Sequence, residues 1–332
     1  MINFWQNLKK PITALAPMEE VTDTVFRQIV MSCGSSSVFF TEFTSCEGVQ
    51  SVGQARVIHR LKYSEIERPI VAQVWGITPE DYRKTAKLVL ELGFDGIDIN
   101  MGCPVKKVIK QGACSALIKN PNLAKEIIMA VKEGSEGNIP VSVKTRIGFS
   151  KIETREWCGF LLQECDLEAL TIHGRTVKEE SGVPCHWDEI AKVVEIRNEL
   201  GSSTVILGNG DVQSLGGIEE KVSQYGVDGV MVGRGIFKNP WLFNPDVSTN
   251  SEGFQYFVSA GVEIDKILKI QTLLKHLYLW RETWKEEKPF PPLKKFFKIY
   301  LHQFPGAGEL RAKLMELQKI EETIEFLESL LT

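Results

Sequence analysis

Residues capable of chemistry recur along apolar runs throughout this chain. A thiol, Cys103, sits in Gly102-Cys103-Pro104, where glycine and proline break an alternating apolar run. A thiol just past a strand end can reach a ligand lying across a sheet or barrel, so it is a candidate proton donor; the bland reading is an inert buried cysteine. Lys144 and Arg146 lie two residues apart in one strand-like run, His173 and Arg175 in another, so each pair shares a face. Lys144 is hard to read as packing, because an ammonium among Val141, Val143 and Ile147 is costly without a partner. Gln73 and Asn100 occupy two further runs. Gln73 or His173 taken alone reads equally as a satisfied interior group. Asn209-Gly210-Asp211 and Gly233-Arg234-Gly235 are tight turns or, opening onto helix starts, anion-binding loops. For Asp211, capping of the helix near Ser214 is the stronger reading.

Eight apolar runs alternate with helix-like segments. They cover residues 12–18, 38–43, 69–76, 96–104, 140–148, 169–176, 204–211 and 229–235. Thr22 is the expected N-cap of a helix through Cys33, and Thr78-Pro79-Glu80-Asp81 opens one ending at Gly93. Asn120 caps residues 121–132, and further helices are expected around Trp157, at 188–200 and at 214–225. Eight such alternations predict an α/β fold, a parallel (β/α)8 barrel of the TIM type, with active groups at the C-terminal strand ends. An open doubly wound sheet ranks lower, because no Gly-x-Gly-x-x-Gly follows the first run. The expected division is a barrel at 1–243, a polar, glycine-bearing linker at 244–262, and a small all-α domain at 263–332.

The net charge of −4 hides an uneven distribution. Residues 266–319 carry twelve Lys and Arg against five Glu, whereas residues 1–265 have an acidic excess. Lys294, Lys295 and Lys298 recur at helical spacing with Arg311 and Lys313 nearby, a candidate polyanion surface. For any single lysine a solvated face is the better reading. The seven cysteines include no Cys-x-x-Cys pair, so neither a metal site nor a disulfide framework is expected, and a reducing cytoplasm suits them. No run nears the ~20 apolar residues that cross a bilayer, and residues 1–10 lack a signal-peptide core.

Taken together, these residues resemble the tRNA-dihydrouridine synthases, flavoenzymes that reduce specific uridines in tRNA. The likeness runs nearly end to end through LAPMEEVTDTVFR (15–27), VAQVWG (71–76), DINMGCPVKKVIKQGACSALI (98–118), VSVKTRIG (141–148), TIHGRT (171–176), GNGDV (208–212), VGRG (232–235) and the C-terminal stretch 288–315. Glu20 and Cys114 depart from the commonest pattern, which has glycine at both positions. The resemblance implies an FMN site. Pro17 and Met18 would back the flavin ring beside Glu19, Gln73 would bond its polar edge, and Lys144 would lie near N1/O2 with His173 alongside. Asn209, Gly210, Asp211, Gly233 and Arg234 would hold ribityl and phosphate. Asn100 and Arg146 would lie near the target base, Arg175 near base or phosphate, and Lys107, Lys294, Lys295, Lys298 and Arg311 against tRNA.

The implied chemistry is hydride delivery from flavin N5 to C6 of uracil, with Cys103 protonating C5. NADPH, or NADH, would be the reductant. The thiol is expected to keep a pKa not far below its usual value, Lys106, Lys107 and Lys110 to face phosphate, and Cys114 to be structural. tRNA is the expected partner of a monomeric cytoplasmic protein that needs neither membrane nor metal. Two alternatives remain: a small-molecule FMN reductase resembling dihydroorotate dehydrogenase, disfavoured by the basic helical segment, and a tRNA chaperone without chemistry, disfavoured by the complete flavin set.

Overall fold

The computed structural model describes residues 3–250 and 255–332, which form two compact units. The first runs to Thr24 and includes Ser36–Val212 and Gly216–Gly233; the second holds Val25–Ser35, Gln213–Leu215 and the chain from Arg234 onward.

The eight apolar runs of the first unit become short strands and the polar pair Thr44–Ser45 adds one more: β1 (Ile12–Leu15), β2 (Phe39–Phe40), β3 (Thr44–Ser45), β4 (Ile70–Trp75), β5 (Gly96–Asn100), β6 (Val141–Arg146), β7 (Ala169–His173), β8 (Val205–Asn209) and β9 (Gly229–Val232). Their order is β1-β9-β8-β7-β6-β5-β4-β2, all parallel, with β3 also paired to β4. A bridge between Ala14 and Val38 joins the first strand to the start of the second and closes the ring. The strands are buried along almost their whole length, as expected where one face meets the barrel interior and the other meets helices. The strand-start half of the interior is apolar, built from Ile12, Ala14, Val38, Val71, Ala169 and Val205 around Trp5. Gln73, Asn100, Lys144 and Asn209 stand in the C-terminal halves of their strands, above this apolar layer.

Helices of this unit include α3 (Pro79–Glu91), α5 (Pro121–Gly134), α6 (Thr154–Glu164), α7 (Trp187–Glu199) and most of α8 (Leu215–Tyr225), with short α2 (Cys46–Val49) and α4 (Lys106–Lys110) in the βα loops. Pro79 stands in the first turn of α3, and Asn120 Oδ1 accepts the Leu123 N–H of α5 at 3.3 Å, as the sequence predicts. Thr22, the expected N-cap of the helix through Cys33, makes a further contact. Its hydroxyl accepts the Met18 N–H at 2.8 Å, tying the β1 loop into a turn, and α1 (Thr24–Cys33) starts two residues later.

The second unit contains nearly all of α1 together with α9 (Lys266–Trp284), α10 (Phe297–Tyr300), α11 (Ala307–Glu316) and α12 (Ile320–Glu328). Asp265 caps α9 by accepting the Leu268 N–H at 2.8 Å. The buried core includes Ile270, Leu273, Leu277, Trp280 and Trp284 of α9, and His276 Nδ1 bonds the Tyr300 hydroxyl at 2.7 Å. The stretch read as a linker, 244–262, carries a three-stranded antiparallel sheet of β10 (Val247–Thr249), β11 (Gln255–Phe257) and β12 (Val262–Glu263). Residues 251–254 of that stretch lie outside the described residues.

Candidate active site

Parallel register brings the polar strand positions side by side. Gln73 stands beside Asp98, Asp98 beside Ser142, Asn100 beside Lys144, Arg146 beside His173, and His173 beside Asn209. Ser142 donates to Asp98 Oδ1 at 2.6 Å, and Gln73 Nε2 donates to Asp98 Oδ2 at 2.7 Å. Asn100 Nδ2 donates to Gln73 Oε1 at 3.0 Å. Lys144 Nζ donates to Asn209 Oδ1 at 3.1 Å, and Asn209 Nδ2 donates to the Met231 carbonyl at 2.7 Å. Enclosure and the neighbouring Arg146 guanidinium lower Lys144 to about 8. Burial raises the Asp98 carboxyl to about 6, against the bonds from Ser142 and Gln73 and the charge of Lys144.

Cys103 lies half-buried in the loop after β5, and its peptide is held from both sides. Asn100 Oδ1 accepts the N–H groups of Gly102 at 3.1 Å and Cys103 at 3.0 Å. Ser115 Oγ donates to the Cys103 carbonyl at 2.7 Å, and Arg146 Nε donates to the Gly102 carbonyl at 2.8 Å. Cys103 falls to about 7, with the neighbouring Cys114 thiol as the largest influence and the charge of Arg146 adding to it. This is further than the sequence reading allowed, and the cause is a thiol it took as structural. Every other cysteine moves the other way: burial pushes Cys33, Cys158 and Cys185 up to about 12 and Cys165 to about 11, and raises Cys46 and Cys114. Lys106, Lys107 and Lys110 are exposed on α4 and are not among the charges acting on the sulfur.

Glu20 and Cys114, the two departures from the family pattern, have left-handed backbone, with φ of 59° and 52°. That conformation is the reason glycine suits both positions. At Glu20 the contact is made by the backbone, its N–H donating to Glu42 Oε1 at 2.5 Å, whereas the Cys114 side chain is fully buried beside Cys103.

Beyond β7, Arg175 is buried and its guanidinium is committed on three sides. It donates to the Val183 carbonyl at 2.6 Å, to Asp211 Oδ2 at 2.5 Å, and meets His173 Nε2 at 3.3 Å. Asp211 Oδ2 also accepts the Cys185 N–H at 2.9 Å, so this carboxylate braces the β7 and β8 loops. Capping of α8, the stronger sequence reading for Asp211, is not the contact seen there. Gly210 has φ of 132°, and a Cβ there would collide with Cys185 Sγ. Arg146 Nη1 donates to the Thr176 and Glu180 carbonyls at 3.1 and 3.3 Å, a role in loop bracing that periodicity could not show.

The rim has a donor and acceptor set that fits a flavin. Reduction of the ring builds negative charge at its N1/O2 edge, and Lys144 supplies an ammonium whose bonded partner, Asn209, is neutral. Glu19 Oε1 is paired with Arg60 at 2.6 Å, while Glu19 Oε2 is buried with no hydrogen-bond partner among the described residues, an acceptor suited to a ligand N–H or hydroxyl. Pro17 and Met18 are half-buried before it in the β1 loop, and Gly233 follows β9. Arg234 is exposed at the start of a 3-10 turn, Arg234–Phe237, in the second unit. Asp98, Ser142, Ser115 and the role of Cys114 escaped the sequence reading. Asp98 carried the same signal as Lys144, a charge on the inward face of an apolar strand.

In the second unit Lys295, Lys298, Arg311, Phe297 and Met315 line one groove. Lys295 and Lys298 are exposed. Lys294 is buried, its ammonium donating to the Met315 carbonyl at 2.9 Å at the end of α11, and Arg311 donates to the Leu301 carbonyl.

Comparison with known proteins agrees with this geometry. The barrel resembles solved structures of histamine dehydrogenase from Rhizobium sp. 4-9, with a TM-score of 0.53 and 13% identity over 80% of this chain and 48% of that one. It also resembles 6-hydroxypseudooxynicotine amine oxidase from Pseudomonas geniculata N1, with a TM-score of 0.52 and 14% identity over 71% and 47%. At such identities the likeness is one of fold. In sequence, the chain is 43% identical over 323 residues to a probable tRNA-dihydrouridine synthase 2 of Bacillus subtilis (strain 168), covering 96% of this chain and 94% of the relative. A probable tRNA-dihydrouridine synthase of Staphylococcus aureus (strain COL) is 42% identical, covering 96% and 93%. The dihydrouridine synthase family model matches residues 14–332, so the chain belongs to the dihydrouridine synthase family.

Proposed function

We propose that this protein reduces specific uridines of tRNA to 5,6-dihydrouridine, using FMN held at the C-terminal rim of the barrel. The observation that carries the proposal is geometric: Asn100, which stands beside Lys144 in the sheet, holds the peptide of the Cys103 loop together with Ser115 and Arg146, so thiol and ammonium share one rim. The family's name and the names of its relatives support the substrate.

When bound, the flavin supplies a hydride to C6 of uracil. Cys103 donates its thiol proton to C5, and the thiolate left behind is stabilised by the Cys114 thiol and by Arg146. Lys144, oriented by Asn209, holds the negative charge at the N1/O2 edge, with Gln73 and His173 as further ring contacts. Pro17, Met18 and Glu19 bind on the β1 side. Asn209, Gly210, Asp211 and Gly233 serve ribityl and phosphate; Arg234, expected with them, belongs to the second unit. Asn100 and Arg146 serve the target base through the Cys103 loop, and Arg175 the base or a phosphate.

A stacked uridine must turn out of the tRNA to reach a barrel mouth. Recognition then rests on shape and phosphates, which suits the exposed Lys107, Lys295 and Lys298, with Lys294 and Arg311 shaping the groove. In this reading residues 1–243 are catalytic, 244–262 connect, and 263–332 bind tRNA in a monomeric cytoplasmic protein with NADPH as reductant. Purified protein incubated with NADPH and unmodified tRNA should form dihydrouridine; a protein that binds no flavin and forms none overturns the proposal.

A further inference from the structure

One buried carboxylate at the centre of the barrel has no part in the chemistry above. Asp98 is fully buried, yet its two oxygens are both used: Ser142 donates to one and Gln73 Nε2 to the other. Gln73 is also fully buried, and its remaining oxygen accepts Asn100 Nδ2 at 3.0 Å. The Asn100 oxygen then accepts the Gly102 and Cys103 N–H groups.

Two primary amides thus link an anion to the peptide of the thiol loop. An amide presents a donor at one end and an acceptor at the other, so the orientation of the first dictates that of the second. An ionised carboxylate only accepts, and backbone N–H groups only donate. The two ends of the chain therefore demand the same polarity. A donor at position 98 aimed at Gln73 would reverse Gln73, then Asn100, and would turn an NH2 group against the N–H groups of Gly102 and Cys103.

We propose that Asp98 is a positioning residue for the Cys103 loop, acting through the amide orientations of Gln73 and Asn100. The inference rests on the reading of Cys103 as proton donor. A competing role for Asp98 is that of counter-charge to Lys144, since each acts on the other electrostatically. The two roles separate on substitution. Asp98→Ala removes the acceptor. Asp98→Asn removes the charge but keeps an acceptor for Gln73, because its NH2 group can turn to Ser142 Oγ, which is able to accept.

The test uses hydrogen exchange of the peptide containing Gly102 and Cys103, alongside dihydrouridine formation by the full-length protein. In Asp98→Ala, exchange of that peptide should rise about 10-fold, while strand β8 keeps its protection. Product formation should fall about 10-fold or more, and Asp98→Asn should restore both to within about 3-fold. Gln73→Met breaks the same chain one link on, and it should raise exchange of the same peptide even where Asp98→Ala does not accumulate as folded protein. Unchanged exchange in both Asp98→Ala and Gln73→Met overturns the proposal. An Asp98→Asn protein as impaired as Asp98→Ala assigns the role to charge and also overturns it. Exchange is read without flavin or tRNA. Wild-type protein that forms no dihydrouridine would sink the functional reading while leaving the exchange result to stand by itself.

Discussion

Cys103 and Cys114 share one loop, and their thiol pKa values move in opposite directions. The Cys114 thiol is the largest influence on Cys103 and favours its thiolate, whereas Cys114 is raised chiefly by its own burial. The pair thus distinguishes a reactive thiol from an inert one within a single loop. Cys114→Ala should move Cys103 from about 7 back towards its ordinary 9.0. Alkylation of Cys103 at neutral pH should slow accordingly, and an unchanged pH dependence of alkylation would refute the assignment.

The acid role sets the sign of the pH dependence. A proton donor must be protonated, and Cys103 loses its proton as pH rises through about 7. Lys144 loses its charge on the same side, near 8. Reduction should therefore decline on the alkaline side, and Cys114→Ala should shift that decline upward. A rate rising through this range would contradict Cys103 as donor.

Cys103→Ala should keep flavin binding, because no flavin contact is assigned to the thiol, but lower dihydrouridine formation by about 10²- to 10⁴-fold. Visible absorbance of the purified variant and single-turnover assays on unmodified tRNA measure the two properties separately. Wild-type turnover would remove the residue from the chemistry.

Asp98 makes a separate prediction about stability. Its folded-state pKa of about 6 lies above the ordinary 3.8, so the folded protein holds this proton more tightly than the unfolded chain. The associated stabilisation is present below pH 3.8 and lost as pH rises through about 6. The shift corresponds to about 3 kcal/mol. Urea unfolding should show wild type losing stability relative to Asp98→Asn across that window, and parallel curves would argue against it.

On the helical unit, neighbouring lysines should behave differently. Lys295→Glu with Lys298→Glu should weaken tRNA binding and flatten its salt dependence by about one counterion per lost phosphate contact, with flavin content unchanged. Lys294→Met should instead destabilise the unit, because its ammonium satisfies the Met315 carbonyl at 2.9 Å. Equal effects of the three on binding would merge them into one surface.

By itself the sequence determined the barrel and the identity of its rim. Apart from the polar pair Thr44–Ser45, each barrel strand is a local apolar run bounded by turn residues, and the two-residue period set Lys144 and Arg146 on one face before any pairing was known. The Asn120 cap was legible for the same reason, because it acts within three positions of itself, whereas Thr78 makes no side-chain cap bond. Only the tertiary structure decided which rim groups meet. Gln73 reaches Asp98 across 25 positions, Asn100 reaches Gln73 across 27, and Arg175 finds Asp211 across 36, taking that carboxylate from the expected cap. Such bonds depend on strand register and ring closure, which local periodicity does not encode. The lowered pKa of Cys103 belongs to the same class, because it follows from the distance to Cys114 and Arg146 and not from the Gly-Cys-Pro turn alone.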